Sequence, residues 1–270
     1  MKRSRSAGGP NEVWTSGEAY ESFVGRWSRA VAREFLEWLE IPGGSRWLDV
    51  GCGTGALSAT ILEMAAPSRV HGIDPSIGYL EFARSVMADD RARFETADAQ
   101  ALPVESAGYD AVVSGLALNF IPRPDRALAE MARAARRGGT VAAYVWDYAG
   151  KMQFMRHFWD AAAALDPRAK DLDEGGRFPI CHPEPLREIF QKVDLAGVEV
   201  RAIDTPTDFN DFDDFWSPFL GGQGPAPGYV MSLGEGARSA LRERLRAGLP
   251  YAANGSIHLV ARAWAVRGVA

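Results

Sequence analysis

The sequence predicts an α/β fold, a doubly wound and mostly parallel sheet with helices on both faces. Short apolar stretches at 46–50, 69–74, 92–97, 109–114 and 140–146 alternate with stretches of helical period. Glycine-rich turns separate them; there are 28 glycines in 270 residues, above the average share of about 7%. The composition is ordinary for a globular chain, 47% hydrophobic and 24% charged, which excludes disordered, collagen-like and coiled-coil classes. Strands alternating with helices imply parallel pairing with both faces covered. Such sheets bind ligands outside the carboxyl ends of their strands, at the point where strand order reverses.

The elements follow in order. Residues 1–12 are expected to form a disordered tail. The stretch 19–40 reads as a helix, with Val24, Trp27, Val31, Phe35, Trp38 and Leu39 at helical spacing, and Pro42-Gly43-Gly44 ends it. After strand 46–50 comes a glycine loop, then a helix with Leu57, Ile61, Met64 and Ala65 on one face. Strand 69–74 leads to Ser76, a helix cap, and a helix to Ala88 with Leu80, Ala83 and Met87 inward. Strands 92–97 and 109–114 precede a helix over 125–137 that carries Leu128, Met131, Ala132 and Ala135. Gly138-Gly139 reads as its left-handed stop, before strand 140–146. The second half is less regular. Helices are expected at 152–165, 183–194, 211–220 and 236–247, with strands at 198–203 and 257–266. In 211–220, Phe212, Phe215, Trp216 and Phe219 form one apolar face; its acids suit a helix N-terminus better than a binding motif. The glycine-rich stretch 221–228 is expected to be a flexible connection. No internal repeat or low-complexity tract is present.

Charge and cysteine usage narrow the class. Lys and Arg number 30 against 35 Asp and Glu, a net charge of -5, opposite in sign to most nucleic-acid-coating proteins. The two cysteines, Cys52 and Cys181, make no disulfide framework and no Cys-x-x-Cys pair, and no His-Glu-x-x-His occurs, so no metal site is expected. The basic start with Lys2, Arg3 and Arg5 has no apolar stretch after it to make a secretory signal. No run reaches the roughly 18 apolar residues of a membrane span. A cytoplasmic protein is the expectation.

The strongest local signal is Leu48-Asp49-Val50-Gly51-Cys52-Gly53-Thr54-Gly55, between a strand and a helix. Glycines allow a tight turn and close approach of backbone to ligand, and the helix beyond presents a positive end. Gly51-x-Gly53-x-x-Ala56 also fits the dinucleotide fingerprint, so the loop alone does not separate a nicotinamide cofactor from another nucleoside. Asp74 ends the second strand, about twenty residues on, where an acid accepts hydrogen bonds from ribose hydroxyls. Asp98 follows the third strand, placed to accept from an adenine amine. Acids at Asp49, Asp74 and Asp98 would repel a pyrophosphate but suit a cationic sulfonium bearing an α-amino group.

With these motifs the sequence resembles the class I S-adenosylmethionine-dependent methyltransferases. More closely it is similar to the small-molecule branch related to ubiquinone- and menaquinone-biosynthesis enzymes (methyltransferase type 11). The resemblance rests on the glycine tract 48–55, on Gly72-Ile73-Asp74-Pro75-Ser76, on Asp98-Ala99-Gln100-Ala101-Leu102-Pro103, and on Tyr109-Asp110-Ala111-Val112-Val113-Ser114 with the stretch to Gly139. It covers about residues 14–148. It implies a Rossmann-like sheet of seven strands with an antiparallel last strand, for which 257–266 is the candidate, and helical cap insertions in the C-terminal half. It implies a single domain over 13–270: an N-terminal helical lid at 13–45, a cofactor-binding core at 46–148, acceptor-pocket insertions and the sixth strand at 149–256, and the last strand at 257–270. The implied cofactor is S-adenosyl-L-methionine, the product S-adenosyl-L-homocysteine.

The resemblance also assigns residues. Backbone at Gly51, Cys52, Gly53 and Gly55 and the acid of Asp49 lie by the methionine part. Asp74 takes the ribose hydroxyls. Pro75, Ser76, Asp98 and Ala99 surround the adenine. Gly115, Leu116 and Asn119 line the sulfonium end. Tyr20 and Arg26, in a segment that folds over the cofactor, complete the set, Arg26 toward the carboxylate. One departure matters: the tract Asn119-Phe120-Ile121-Pro122 lacks the Pro-Pro-aromatic sequence common where base amines or glutamine are methylated. With the acidic net charge, this argues against a nucleic-acid substrate and for a small acceptor of apolar or aromatic type.

Methyl transfer from a sulfonium needs in-line placement and exclusion of water, and a base only when the acceptor carries a tightly held proton. No catalytic set stands out. His182, His157, Asp147 and Tyr148 are the candidates; His71 and His258 lie on strands. Two other readings share the fold: a NAD(P)-dependent oxidoreductase, supported by the glycine pattern but lacking a Tyr-x-x-x-Lys pair, and a non-catalytic nucleoside-binding protein.

Overall fold

The computed structural model describes residues 26–221 and 224–270. The expected tail at 1–12, Tyr20 with the rest of 20–25, and Gly222-Gln223 lie outside the described residues. The first described helix, α1 (Arg26–Leu39), buries Trp27, Val31, Ala32, Phe35, Leu36 and Leu39 on one stripe. Its end is marked by Glu40, whose φ of 53° belongs to the left-handed region, just ahead of Pro42. Then come β1 (Arg46–Val50), α2 (Ala56–Met64), β2 (Arg69–Asp74), α3 (Ile77–Val86), β3 (Ala92–Thr96) and β4 (Tyr109–Gly115). Each lies within two residues of its sequence expectation, because period and glycine punctuation are local signals.

The next elements are a 3-10 turn (Leu118–Phe120), α4 (Pro124–Ala134), β5 (Ala135–Trp146), α5 (Gln153–Leu165), α6 (Glu174–Arg177), α7 (Pro183–Gln191) and β6 (Ala196–Phe209). The chain closes with α8 (Phe212–Trp216), α9 (Pro225–Ser232), α10 (Glu235–Gly248) and β7 (Ile257–Val269). Seven strands form one sheet in the order β3-β2-β1-β4-β5-β7-β6. The first five pair in parallel, and β7 runs antiparallel between β5 and β6. The α/β class, the seven strands and the antiparallel last strand expected from the sequence are all present. Strand order reverses between β1 and β4, so the loops leaving β1, β2 and β4 gather at one edge.

Four expectations need correction. The helix over 125–137 ends at Ala134, and Gly138-Gly139 is no helix stop. The chain turns directly into β5, whose register against β4 slips between the pairs Tyr109↔Ala135 and Ala111↔Thr140. Gly138, at φ 74°, donates its N–H to the carbonyl of Ala270 at 2.7 Å, and Ala270 donates back to Gly139 at 2.9 Å. Pairing of Ala135 with Tyr109 of β4 and of Gly138 with the C-terminal strand overrides the helix propensity of Ala135-Arg136-Arg137. The strand expected at 198–203 is the 14-residue β6. It runs through Pro206, which an edge strand tolerates because its missing N–H is needed by no further neighbour. The helix at 211–220 breaks at Trp216 into a 3-10 turn (Ser217–Gly221) containing Pro218. The expected flexible connection at 221–228 is in part α9, which buries Pro225, Ala226, Pro227 and Val230; proline at a first helical position is preorganised for it.

Beyond β5 the core is aromatic. Phe154 stacks on Phe209 and Phe219 at 5.4 and 4.6 Å, Phe158 on Phe219 at 4.4 Å, and Trp27 of α1 meets Phe154 at 5.3 Å. Such pairs contribute about 0.5–1.5 kcal/mol each beyond their buried area, which ties α5, β6 and the 3-10 turn after α8 to α1. Among the described residues no helix is long and apolar enough to cross a membrane.

Candidate functional site

The loop from β1 to α2 has all three of its glycines in the left-handed region, Gly51 at φ 73°, Gly53 at 53° and Gly55 at 86°. A side chain at Gly51 would put its Cβ 2.5 Å from that of Ala117, so the loop is pressed onto the exit of β4. A Cβ built at Gly53 would meet no atom of the described residues within 4 Å. The N–H groups of Gly51 and Cys52 both donate to the carbonyl of Ile73, at 2.7 and 3.0 Å, which fastens the loop to β2. Gly55 caps α2 without a side chain, leaving that positive helix end uncompensated by a capping oxygen.

Acids stand at the ends of three adjacent strands. Asp49 of β1 is fully buried; Ser58 donates its hydroxyl to Oδ2 at 2.7 Å, while Oδ1 is sealed with no hydrogen-bond partner among the described residues. Burial, with the charge of Asp74 adding, pushes its pKa up to about 7, against the Ser58 hydrogen bond. Asp74 ends β2 and is also buried. Gly53 donates its N–H to Oδ2 at 3.0 Å and Ser76 donates to Oδ1 at 2.8 Å, so this acid clamps the glycine loop to the start of α3. Burial raises its pKa and the two N–H groups pull it back. Ser76 caps α3 by accepting from the Tyr79 N–H at 3.3 Å, and Pro75 is exposed beside it. Asp98, past β3, is exposed and holds the N–H of Gln100 at 2.8 Å; Ala99 next to it is buried.

The exit of β4 forms the other side. Gly115 leaves room for the Tyr144 hydroxyl, which a Cβ would meet at 2.6 Å. Leu116 sits at φ 58° and donates its N–H to the Tyr144 carbonyl at 2.8 Å. A non-glycine residue there stores backbone strain of order 1–3 kcal/mol. Among the described residues neither amide atom of buried Asn119 has a partner, nor has the Ser114 hydroxyl. Asp49 Oδ1, Ser114 Oγ and the Asn119 amide are thus three orphaned polar sites where β1 adjoins β4. An unsatisfied buried polar group costs about 1–3 kcal/mol.

The four catalytic candidates are dispersed. Asp147 is buried below the exit of β5, its oxygens accepting the N–H groups of Gly150 and Lys151 at 3.1 and 2.9 Å, which makes it a turn anchor. Tyr148 follows it, with its ring 6.1 Å from Phe178. His157 lies on α5 and lines a cavity of about 380 Å³ with Asp160, Arg244 and Leu245. Burial lowers its pKa, opposed by Asp160. His182 is the residue before α7 and is half-buried. Arg26 opens α1; Tyr20 lies outside the described residues. Glu174 escaped sequence reasoning: it is 2% exposed, its carboxylate accepts from the Trp159 indole N–H, and burial pushes its pKa to about 8. Asp173-Glu174-Gly175-Gly176 reads as an exposed turn, so no local pattern marks it.

Comparison with known proteins agrees with this geometry. Residues 48–139 match the methyltransferase domain family. A methyltransferase of Streptomyces halstedii is 33% identical over 116 residues, 42% of this chain and 41% of its own. The demethylmenaquinone methyltransferase of Roseiflexus castenholzii is 34% identical over 101 residues, 37% of this chain and 42% of its own. The chain thus spans about two fifths of the length of these curated relatives. Among solved structures, phosphoethanolamine N-methyltransferase 2 of Haemonchus contortus, in complex with phosphomonomethylethanolamine and S-adenosylhomocysteine, superposes with a TM-score of 0.58. It is 19% identical and covers 94% of this chain and 57% of its own. The [4+2]-cyclase SpnF superposes with a TM-score of 0.53 at 20% identity, covering 90% of this chain and 80% of its own. These two likenesses establish the fold.

Proposed function

We propose that this chain, whose residues 48–139 form a methyltransferase domain, transfers a methyl group from S-adenosylmethionine to a small apolar or aromatic acceptor. The observation that carries this reading is the sealed, unpartnered oxygen of Asp49 beside the glycine loop. A buried carboxylate next to a second acid, Asp74, suits a cationic ligand and disfavours a pyrophosphate. When bound, S-adenosylmethionine would supply a methyl group activated by its positively charged sulfur, and the glycine loop, Asp49 and Asp74 would hold it.

The chain's own residues bind and orient. Asp74, already fixed by two N–H donors, presents its carboxylate to the ribose hydroxyls. Pro75, Ser76, Asp98 and Ala99 border the adenine, and the backbone of Gly51, Cys52, Gly53 and Gly55 cradles the methionine part with Asp49 behind it. Gly115, Leu116 and Asn119 shape the space where sulfur meets acceptor. Tyr20 and Arg26 cover the cofactor from the N-terminal side. No base is assigned among His182, His157, Asp147 and Tyr148: alignment and exclusion of water supply the rate. The net charge of -5 argues against a nucleic-acid acceptor.

The test is transfer from methyl-labelled S-adenosylmethionine to a panel of phenols, quinols, amines and carboxylic acids. The expected result is label in one class with stoichiometric S-adenosylhomocysteine. A chain that binds NAD(P)H and oxidises or reduces one of these compounds instead would overturn the reading.

A further inference from the structure

The segment between α5 and α7 holds little regular structure, yet three successive residues pin it. Asp173 caps α6 by accepting the Gly175 N–H at 2.9 Å and pairs with Arg156 of α5 at 2.6 Å, both side chains being about four-fifths buried. Glu174 is sealed against the indole N–H of Trp159, also on α5. Gly175 lies against the exit of β5, where a Cβ would come within 2.9 Å of Ala149 Cα. Three anchors on a four-residue helix are more than its own hydrogen bonds require, and the residue they deliver is Phe178.

The Phe178 ring lies 5.2 Å from that of Phe120 at 78°, and 6.1 Å from that of Tyr148. Phe120 closes the 3-10 turn after β4, directly following the unpartnered Asn119; Tyr148 stands just past β5. Phe120 and Phe178 are only half-buried. Phe178 thus bridges Phe120 and Tyr148, from three separate segments, past the carboxyl ends of β4 and β5, and the Arg177 guanidinium lies 5.2 Å from its ring.

We propose that Phe120, Tyr148 and Phe178 form the wall against which a planar aromatic acceptor lies, and that Glu174 is the positioning residue that holds Phe178 in that wall. The inference rests on the methyltransferase reading for its placement of the acceptor at the β4 exit. Aromatic rings recognise one another by offset and edge-on contact, and an aliphatic or highly charged acceptor gains little from such a wall. Glu174 acts as an uncharged carboxyl, since burial pushes its pKa to about 8. The groups that face it are Asp173, which opposes its ionisation, and Arg177, which favours it, on its own segment. Arg156 and Trp159 face the segment from α5. Cys181, whose thiol burial pushes up, and Asp147 stand toward the β5 exit. Ionisation of a sealed carboxyl draws it toward water, which releases α6 and with it Phe178.

The test titrates naphthalene-2-carboxamide, a planar probe without a titrating group, into the full chain by calorimetry at pH 7 and pH 9, with and without saturating S-adenosylhomocysteine. Wild type is expected to bind the probe saturably and more weakly at pH 9. Phe178→Ala and Glu174→Ala are expected to weaken it about tenfold or more while S-adenosylhomocysteine affinity stays within about twofold, which also reports on folding. Glu174→Gln, which keeps shape and neutrality, is expected to match wild type at pH 7 and to lose the weakening at pH 9. Unchanged probe affinity in Phe178→Ala, no saturable binding to wild type, or a Glu174→Gln variant as weak as Glu174→Ala each overturns the proposal. Failure of S-adenosylhomocysteine to bind wild type counts against the cofactor reading alone, since the probe titration without it still decides the wall.

Discussion

The half of the molecule that runs from β1 to β5 and the half that follows it each bury a carboxyl group, and the two are buried for different ends. Asp49 sits beside a second acid and a glycine loop, with one oxygen unpartnered. Burial, with Asp74 beside it, raises its pKa to about 7, and the proposed cationic cofactor would offset that cost. Glu174 sits against an indole, while the nearby Arg156 is committed to Asp173. Its high pKa marks a group kept neutral as a structural pin. Burial alone therefore does not identify a ligand site; the surrounding charges and the unfilled hydrogen bonds do.

Both groups have the same sign in linkage. Their folded pKa values, about 7 for Asp49 and about 8 for Glu174, exceed the ordinary carboxylate values of about 4. Their contribution to stability is fully present below pH 4. It is lost as pH rises toward 7 and 8, because the unfolded chain gives up its proton first.

The contrast can be broken by mutation, beginning with the largest effect. Gly51→Ala forces a side chain into a left-handed backbone and to 2.5 Å from Ala117. It should cost about 2–5 kcal/mol of stability, from backbone and overpacking terms together, measured by denaturant unfolding, and abolish cofactor binding. The same experiment on Gly53→Ala, whose Cβ meets no described residue within 4 Å, should show only the smaller backbone cost. Glu174→Gln should match wild type near pH 4 and become the more stable protein as pH rises. Its advantage should reach about 2–4 kcal/mol at pH 8, at up to about 1.4 kcal/mol per unit; thermal melts across that range check it. Asp74→Ala should weaken cofactor binding by about 1–3 kcal/mol through lost charged hydrogen bonds, read by calorimetry. The smallest effect is a pH slope. Binding of the cationic cofactor should release a proton from Asp49 and tighten about tenfold between pH 6 and 8. That slope should vanish in Asp49→Asn.

The first half was legible because its signals are local. Tyr109 to Ser114 reads as a buried strand, Ser76 reads as a cap, and the loop Gly51 to Gly55 reads as a ligand cradle from residue type and spacing alone. The same spacing pointed to Asp74 as an acid beside the loop, but its clamp onto the Gly53 N–H at 3.0 Å is visible only in the structure. The second half resists such reading because its short elements are held from outside. Four-residue α6 exists through Trp159, Arg156 and Ala149, which lie elsewhere in the sequence. The bulge at Gly138 exists because the C-terminus pairs with it. Pro225 and Pro227, which look like loop residues beside glycines, are the buried first turn of α9. Phe120, Tyr148 and Phe178 meet only once three separate segments are folded.

The central claim is that the glycine loop, Asp49 and Asp74 hold S-adenosylmethionine, and equilibrium calorimetry on the full chain tests it most directly. Saturable one-to-one binding of S-adenosylmethionine that weakens in Asp74→Ala and tightens with pH in an Asp49-dependent way is the predicted result. Binding of NADH or NADPH in its place, or S-adenosylmethionine affinity indifferent to Asp74→Ala, contradicts it.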